Sequence, residues 1–183
     1  MGKGPFDFWL RNGLLEWEQG DVKVFSMDGE NFLFVDGVMY ASTSERAWYI
    51  KNVLPHVRGR CLEIGLGLGV AAKVILSSPD VITLLTVEVN PDVIEAFGWT
   101  FRHHIILNRD VNGWIEGAAY AGPIYDFIFV DHHAEMDDEA FPEMETLVKK
   151  LKLNLKQGGK LIVWIDEHAA AEDKDAYRKL WVV

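Results

Sequence analysis

The chain has 183 residues and 49% hydrophobic content, which suits one compact structure with a sizeable core. Its formal net charge of −10 argues against a nucleic-acid partner, because the phosphate backbone is itself negative. No apolar run reaches the ~18 residues that a membrane-spanning helix needs, and the N-terminus lacks the apolar core of a signal peptide. We therefore expect a cytoplasmic protein with no membrane contact.

The first 40 residues predict a small antiparallel β meander. Residues 6–18 are rich in Trp, Phe and Leu, and they indicate a short helix or an extended arm. Three β-like runs follow, at 22–25, 32–35 and 38–40. The pairs Asp28-Gly29 and Asp36-Gly37 lie between these runs and are strong hairpin signals.

A helix is expected next, because Ser42 and Glu45 have the spacing of a capping box. This helix should stop before Pro55, since the residue that precedes a proline disfavours helical geometry. We assign residues 1–54 to an N-terminal arm, the meander and this lead-in helix. Residues 55–183 form a second predicted domain.

The second domain alternates strands with helices. Strands are predicted at 61–64, 81–89, 104–107, 124–131 and 160–166. Helices are predicted at 70–76, from 91 onward, and at 111–117, 137–156 and 169–180, with Gly158-Gly159 ending the fourth. Strands separated by crossovers predict an α/β fold with a Rossmann-like, doubly wound, mainly parallel sheet.

Three glycines at alternate positions lie between the first of these strands and its helix. Glycine tolerates positive φ and lets a ligand approach the backbone, so Gly65, Gly67 and Gly69 indicate a ligand-binding turn. Glu63 at the strand's end would repel a pyrophosphate and attract a cation. The string resembles the first motif of class I S-adenosylmethionine (SAM) methyltransferases, which implies that Glu63 and the glycines bind SAM. A tight turn without a ligand is the alternative.

Two further acids follow the next two strands. Glu88 ends the second strand, where its two carboxylate oxygens can accept from adjacent ribose hydroxyls. The string around it, residues 87–92, resembles the second motif of the SAM-binding fold. By the same resemblance Asp110 accepts from the adenine amino group. Asp110 is equally suited to cap the helix that follows, and both roles can hold together.

The fourth strand ends in Asp131-His132, at the sheet edge where reacting groups collect. Asp131 is a candidate to orient or deprotonate an amine or hydroxyl, and His132 to act as base or pack on adenine. A strand-end Asp that caps the next loop is the alternative.

Asp131 with Asp166 resembles the magnesium pair of catechol-type O-methyltransferases. Because Glu167 stands where those enzymes have Asn, we predict no metal.

The order of motifs from about residue 21 to 165 resembles the spermidine-synthase-like branch, the polyamine aminopropyltransferases. That resemblance implies that Tyr49 and Asp131 flank the attacking amine. At three places that branch has polar residues that bind the diamine, and this chain departs from the branch at each of them. Leu68 and Ala134 replace two acids, and the residues after Tyr49 are Ile50 and Lys51.

We predict a SAM-dependent methyltransferase that acts on a nitrogen or oxygen nucleophile of a small-molecule acceptor. One alternative is aminopropyl transfer from decarboxylated SAM to a diamine. The other is a non-catalytic subunit that binds SAM or a nucleoside. The methyltransferase fold usually closes with a sixth and a seventh strand, and this chain is C-terminally short for both. The sheet edge is therefore expected to be open or covered by a partner, and we expect a homodimer.

Overall fold

The computed structural model describes residues 5–98, 102–118, 122–132, 140–166 and 168–183. The N-terminal elements are α1 (Pro5–Asn12), β1 (Leu14–Gln19), β2 (Val22–Met27), β3 (Glu30–Val35), β4 (Val38–Ser42) and α2 (Arg46–Asn52). The remaining elements are β5 (Gly59–Ile64), α3 (Val70–Leu76), β6 (Val81–Glu88), α4 (Pro91–Phe97), β7 (His104–Asn108), α5 (Val111–Ala118), β8 (Tyr125–Val130), α6 (Phe141–Leu151), β9 (Leu155–Val163) and α7 (Ala171–Arg178).

Strands β5 to β9 form the predicted parallel sheet, in the order β7-β6-β5-β8-β9. Helices flank this sheet, as the Rossmann-like prediction requires. The chain leaves β5 toward β6 and β7 and later returns to its other side with β8 and β9. The strand order therefore reverses next to β5, and ligands of open α/β sheets bind in the crevice at such a point.

The N-terminal segment forms both of the structures that its sequence left open. Residues 5–12 are helical, and β1 then pairs with β2 so that the meander has four strands, where the sequence predicted three. Aromatic packing holds α1 on this sheet, since the ring centroids of Trp9 and Phe32 lie 4.3 Å apart. Those of Phe6 and Phe34 lie 5.4 Å apart. The pattern of β1 is hard to identify because Leu14 and Leu15 are consecutive apolar residues and a bulge interrupts the register between Leu15 and Trp17.

The predicted boundary between the fourth helix and the last strand is wrong. Helix α6 ends at Leu151, a short 3₁₀ turn covers Lys152–Asn154, and β9 already begins at Leu155. The two glycines bulge out of β9 instead of ending a helix. Tyr125 of β8 pairs with Leu155 and Phe127 pairs with Lys160, so the intervening residues of β9 have no register partner. The predicted helix residues 137–139 lie outside the described part of the chain.

The chain's own C-terminal residues pair with the outer edge of β9. Val182 forms an antiparallel bridge with Leu161, through N–H···O bonds of 2.8 and 2.9 Å. The indole Nε1 of Trp181 donates to the carbonyl of Val163 at 2.9 Å. This bridge covers the edge at Leu161 from within the chain, and a covering partner stays a prediction.

One hydrophobic core joins the two sheets. Val22 and Leu33 of the meander and Trp48 of α2 belong to the same buried cluster as Leu62 and Phe129 of the parallel sheet. The division into residues 1–54 and 55–183 stays a prediction about domains. Within the described ranges, no helix has both the length and the apolar character to cross a bilayer.

Candidate functional site

A cavity of about 280 Å³ opens at the carboxyl ends of β5, β6 and β8. The parallel sheet and its loops contribute Ile64, Gly65, Gly67, Val87, Glu88, Val89, Asn90, Val93, Arg109, Val111, Asp131 and His132. The meander contributes Leu33, Val35, Tyr40 and Ala41. No sequence pattern indicates that the meander covers the cavity, because that contact joins segments far apart in the chain.

The glycine turn has the backbone conformation that its residue type predicts. Gly65, Gly67 and Gly69 have φ of 88°, 49° and 67°, all in the region that favours glycine. Close packing adds a second requirement for glycine at Gly65, and Gly67 is tightly packed. A Cβ on Gly65 would lie 2.0 Å from the carbonyl oxygen of Asp131, and one on Gly67 would lie 3.1 Å from the Cβ of Ala41. Gly65 and Gly67 line the cavity, whereas Gly69 precedes the first residue of α3.

Glu88 faces the cavity with a fixed carboxylate. The backbone N–H of Leu66 donates to its Oε2 and that of Asn90 to its Oε1, both at 2.8 Å. Each oxygen therefore uses one lone pair on the protein and keeps another for a ligand. A carboxylate held in this way presents two acceptors to a pair of adjacent hydroxyl groups.

Glu63 lies inside the sheet and is not among the residues that line the cavity. Its side chain is fully buried, and the hydroxyl of Thr86 donates to its Oε2 at 2.5 Å. Burial raises the pKa of Glu63 to about 8, and the charges of Asp131 and Glu88 act in the same direction. The contact between Glu63 and a cofactor stays a prediction. The buried position of the Glu63 side chain does not support it.

Asp110 caps α5, as one of its two interpretations predicted. The backbone N–H of Gly113 donates to Asp110 Oδ2 at 3.0 Å. Asp110 itself does not line the cavity, although its neighbours Arg109 and Val111 do. Arg109 was not identified from the sequence, where an exposed-looking arginine after a strand carries no signal.

Asp131 and His132 line the cavity, and Tyr49 joins them through a hydrogen bond. The Tyr49 hydroxyl lies 3.2 Å from Asp131 Oδ2 and 3.2 Å from Glu45 Oε2. Burial raises the pKa of Asp131 well above its ordinary value, and the Glu45 charge adds to this effect. Burial also raises the pKa of Glu45. Glu45 was predicted only as a cap, although its i,i+4 spacing to Tyr49 was visible.

A second cavity, of about 490 Å³, adjoins the first and shares Tyr40 and Ala41 with it. Its other lining residues include Ser42, Ser44, Glu45, Trp48, Trp164, Asp166 and His168. Asp131 therefore faces one cavity and Glu45 faces the other. In the described ranges, no three His, Cys, Asp or Glu side chains are grouped as a metal site requires.

The sheet order, the glycine turn after β5 and the acid at the end of β6 together define the fold. The chain has the class I SAM methyltransferase fold. Among solved structures, spermidine synthases share this fold. The enzyme from Thermotoga maritima superposes with a TM-score of 0.68 at 19% identity, over 91% of this chain and 62% of that one.

Two further structures have the same fold. A spermidine synthase in complex with the transition-state analogue AdoDATO gives a TM-score of 0.69 at 19% identity, over 91% of this chain and 64% of that one. A protein assigned as a methyltransferase and complexed with SAH gives a TM-score of 0.57 at 14% identity, over 91% of this chain and 47% of that one. This chain thus spans less than two thirds of each neighbour's length. Neither a protein-family model nor a curated protein sequence matches it.

Proposed function

We propose that this chain is a SAM-dependent transferase that moves a methyl group from SAM to a small polar acceptor. The observation that carries the proposal is the carboxylate of Glu88. The backbone of Leu66 and Asn90 orients it, and it faces a cavity that Gly65 and Gly67 also line. The two free acceptor positions suit the two hydroxyls of a ribose, which is the recognition that this fold class uses at the end of its second strand.

The rest of the first cavity suits the other parts of an adenosyl sulfonium compound. Val89, Val93 and Val111 provide apolar walls against which an adenine ring can pack. Arg109 adds a planar group at the same end of the sheet. The carboxylate of Glu88 provides negative charge, which attracts a sulfonium and disfavours a pyrophosphate.

The second cavity is the better position for the acceptor. It adjoins the first and combines two indole rings, Trp48 and Trp164, with the carboxylates of Glu45 and Asp166. Aromatic faces and carboxylates both attract a cation, so this lining suits a molecule that carries an amino group. We therefore favour nitrogen over oxygen as the methylated atom.

SAM supplies an electrophilic methyl group and leaves as a neutral thioether, so an amine acceptor must lose one proton in exchange. The chain's residues contribute position and proton transfer. Holding the two reactants in adjoining cavities lowers the barrier by several kcal/mol. Asp131, at the wall of the first cavity, is the carboxyl placed to take the proton.

Aminopropyl transfer from decarboxylated SAM to a diamine is the second candidate. The hydrogen bond between Tyr49 and Asp131 favours it, because the resemblance to aminopropyltransferases implies that these two residues flank the attacking amine. Leu68 argues against it. This residue occupies the place of an acid in that family's glycine turn, and here its side chain is buried in the core.

Titration calorimetry with SAM, decarboxylated SAM and their thioether products tests the proposal. We expect SAM to bind, and Glu88→Gln to weaken binding about tenfold or more, because a charged acceptor is lost. The matched control Glu116→Gln changes an exposed residue of α5 and should leave binding unchanged. A preference for decarboxylated SAM would favour the second candidate.

Two other outcomes reject catalysis. Absence of affinity for every one of these compounds overturns the proposal. If SAM binds, and neither the wild type nor Asp131→Ala turns over any amine acceptor, the chain is a non-catalytic SAM-binding protein.

A further inference from the structure

Three side chains connect the two cavities in a row of hydrogen bonds. Asp131 lines the first cavity and Glu45 lines the second. The buried hydroxyl of Tyr49 lies between them, 3.2 Å from one carboxyl oxygen of each. We refer to Asp131, Tyr49 and Glu45 as the carboxyl–tyrosine relay.

The number of protons in the relay follows from the two distances. A phenol has one O–H, so Tyr49 can donate to only one carboxylate at a time. The other 3.2 Å contact is a hydrogen bond only if that carboxyl group is protonated and donates to the phenol oxygen. The relay therefore holds a proton that Asp131 and Glu45 share, in addition to the proton of Tyr49.

The charges around the relay also favour one proton shared by Asp131 and Glu45. Two carboxylates within reach of one hydroxyl in a buried site repel each other, so one of them takes up a proton. Glu88 faces Asp131 from the first cavity, together with His132, and Asp166 and His168 face Glu45 from the second. The charges of Glu88 and Asp166 oppose a second negative charge on the relay. Burial and the two carboxylates raise the pKa of Tyr49 well above its ordinary value, so the phenol stays protonated.

The relay is held by regular structure on both sides. Glu45 Oε2 accepts the backbone N–H of Ser42 at 3.1 Å, as the partner in the capping box before α2. The ring of Tyr49 packs edge-on against Phe129 of β8, with centroids 5.7 Å apart. Asp131 follows β8, and its backbone N–H donates to Ile64 at 2.9 Å. These contacts keep the three polar groups in line.

We infer that Glu45 is the proton outlet of the transfer reaction, to which Tyr49 delivers the proton that the acceptor gives up at Asp131. In this step the acceptor's N–H proton moves to Asp131 Oδ1. The proton on Asp131 Oδ2 moves to Tyr49 Oη, and the proton of Tyr49 moves to Glu45 Oε2. Asp131 and Tyr49 each receive one proton and give one, so the net result is that the acceptor loses a proton and Glu45 gains one. Rotation of the Asp131 carboxyl group returns its proton to the side of Tyr49. Glu45 then releases it into the second cavity.

This inference rests on the proposed function, and it extends that function by assigning Glu45 a role. Glu45 acts through Tyr49 and Asp131, so it is a positioning residue for proton transfer. The hydrogen bonds that hold the shared proton are formed by the chain's own side chains. It can therefore be measured separately from turnover.

Infrared difference spectroscopy of the ligand-free protein tests the shared proton. At neutral pH we expect the wild type to show the carbonyl band of a protonated carboxyl group that Asp131→Asn and Glu45→Gln both reduce. Tyr49→Phe should shift this band, because the phenol is its hydrogen-bond partner. Glu116→Gln is the matched control and should leave it unchanged. If neither Asp131→Asn nor Glu45→Gln alters the band, no proton is shared and the inference is wrong.

Kinetics of an amine acceptor tests the outlet. General acid–base groups contribute about 10²-fold or more, so Glu45→Gln should lower kcat by this order at neutral pH. The loss should shrink at higher pH, where hydroxide replaces the outlet. Formate, a small carboxylate that can enter the second cavity, should restore kcat of Glu45→Ala and leave that of the Glu116→Gln control unchanged.

The outcomes separate the two proposals. If SAM binds and the wild type methylates an amine, but Glu45→Gln keeps the wild-type kcat and pH profile, only the outlet is wrong. A loss of kcat in Glu45→Ala that formate does not restore also rejects the outlet, because it indicates a structural role. If the wild type turns over no amine, the outlet fails together with the proposed function.

Discussion

The titration of Glu63 should control how stable this fold is at different pH. The side chain is fully buried, one oxygen accepts from Thr86, and the other, Oε1, has no hydrogen-bond partner among the described residues. Burial raises its pKa from 4.5 to about 8 in the folded chain. Unfolding exposes the group to water, so the folded state binds this proton more tightly than the unfolded state.

The sign and size of the effect follow from this difference. The stabilisation due to the bound proton is complete below about pH 4.5 and is lost as the pH rises through about 8. A tenfold difference in proton affinity is worth about 1.4 kcal/mol. Between pH 5 and pH 7 the free energy of unfolding should therefore fall by about 2.5 kcal/mol from this group alone. That is a large share of the ~5–15 kcal/mol that stabilises a typical domain.

Urea unfolding at several pH values between 5 and 8 measures the effect. In Glu63→Gln the amide oxygen can still accept from Thr86, and the side chain no longer titrates. The free energy of unfolding of the variant relative to the wild type should therefore rise by about 2.5 kcal/mol from pH 5 to pH 7. Glu116→Gln, on the surface, should follow the wild type. Parallel curves for the wild type and Glu63→Gln would refute the reasoning.

Three other substitutions or modifications test particular contacts. Gly65→Ala should lower the free energy of unfolding, measured in urea, by more than about 2 kcal/mol. The added Cβ would collide with the Asp131 carbonyl, and the backbone there has a φ of 88°. A smaller loss would contradict the close packing. Burial raises the pKa of the Cys61 thiol to about 12, so a thiol reagent should label Cys61 only on unfolding, as mass spectrometry of the native and urea-treated chain can show. Val182→Pro removes the N–H that donates to Leu161, so it should lower the unfolding free energy by about 1 kcal/mol. Unchanged stability would mean that the bridge does not support the edge.

The local pattern of the chain was sufficient to predict most of the parallel sheet. The apolar runs at 81–89 and 124–131 correspond to β6 and β8, and the predicted helix at 70–76 matches α3. These elements are covered by other elements, so their apolar residues are consecutive and easy to identify. The glycine pair at 158 and 159 was misinterpreted, because glycine is compatible with both a helix end and a strand bulge.

The cavity was only partly predictable. Glu88 and Asp131 were identified because each ends a strand of one parallel sheet, and such ends meet at one edge. The direction of the Glu63 side chain was not predictable in the same way. It lies one position before the last residue of β5, and a side chain there points to either face depending on the register of the strand.

The sequence by itself determined the alternation of strands and helices, the positive-φ turn and the acids at the strand ends, because these depend on residues close together in the chain. Only the tertiary structure decided which of these groups meet. The contact of Glu45 with Asp131 through Tyr49 joins the start of α2 to the end of β8. Ala41 of the meander likewise lies beside Gly67. Contacts of this kind arise when distant segments bury their apolar faces in one core, and no short stretch of sequence records them.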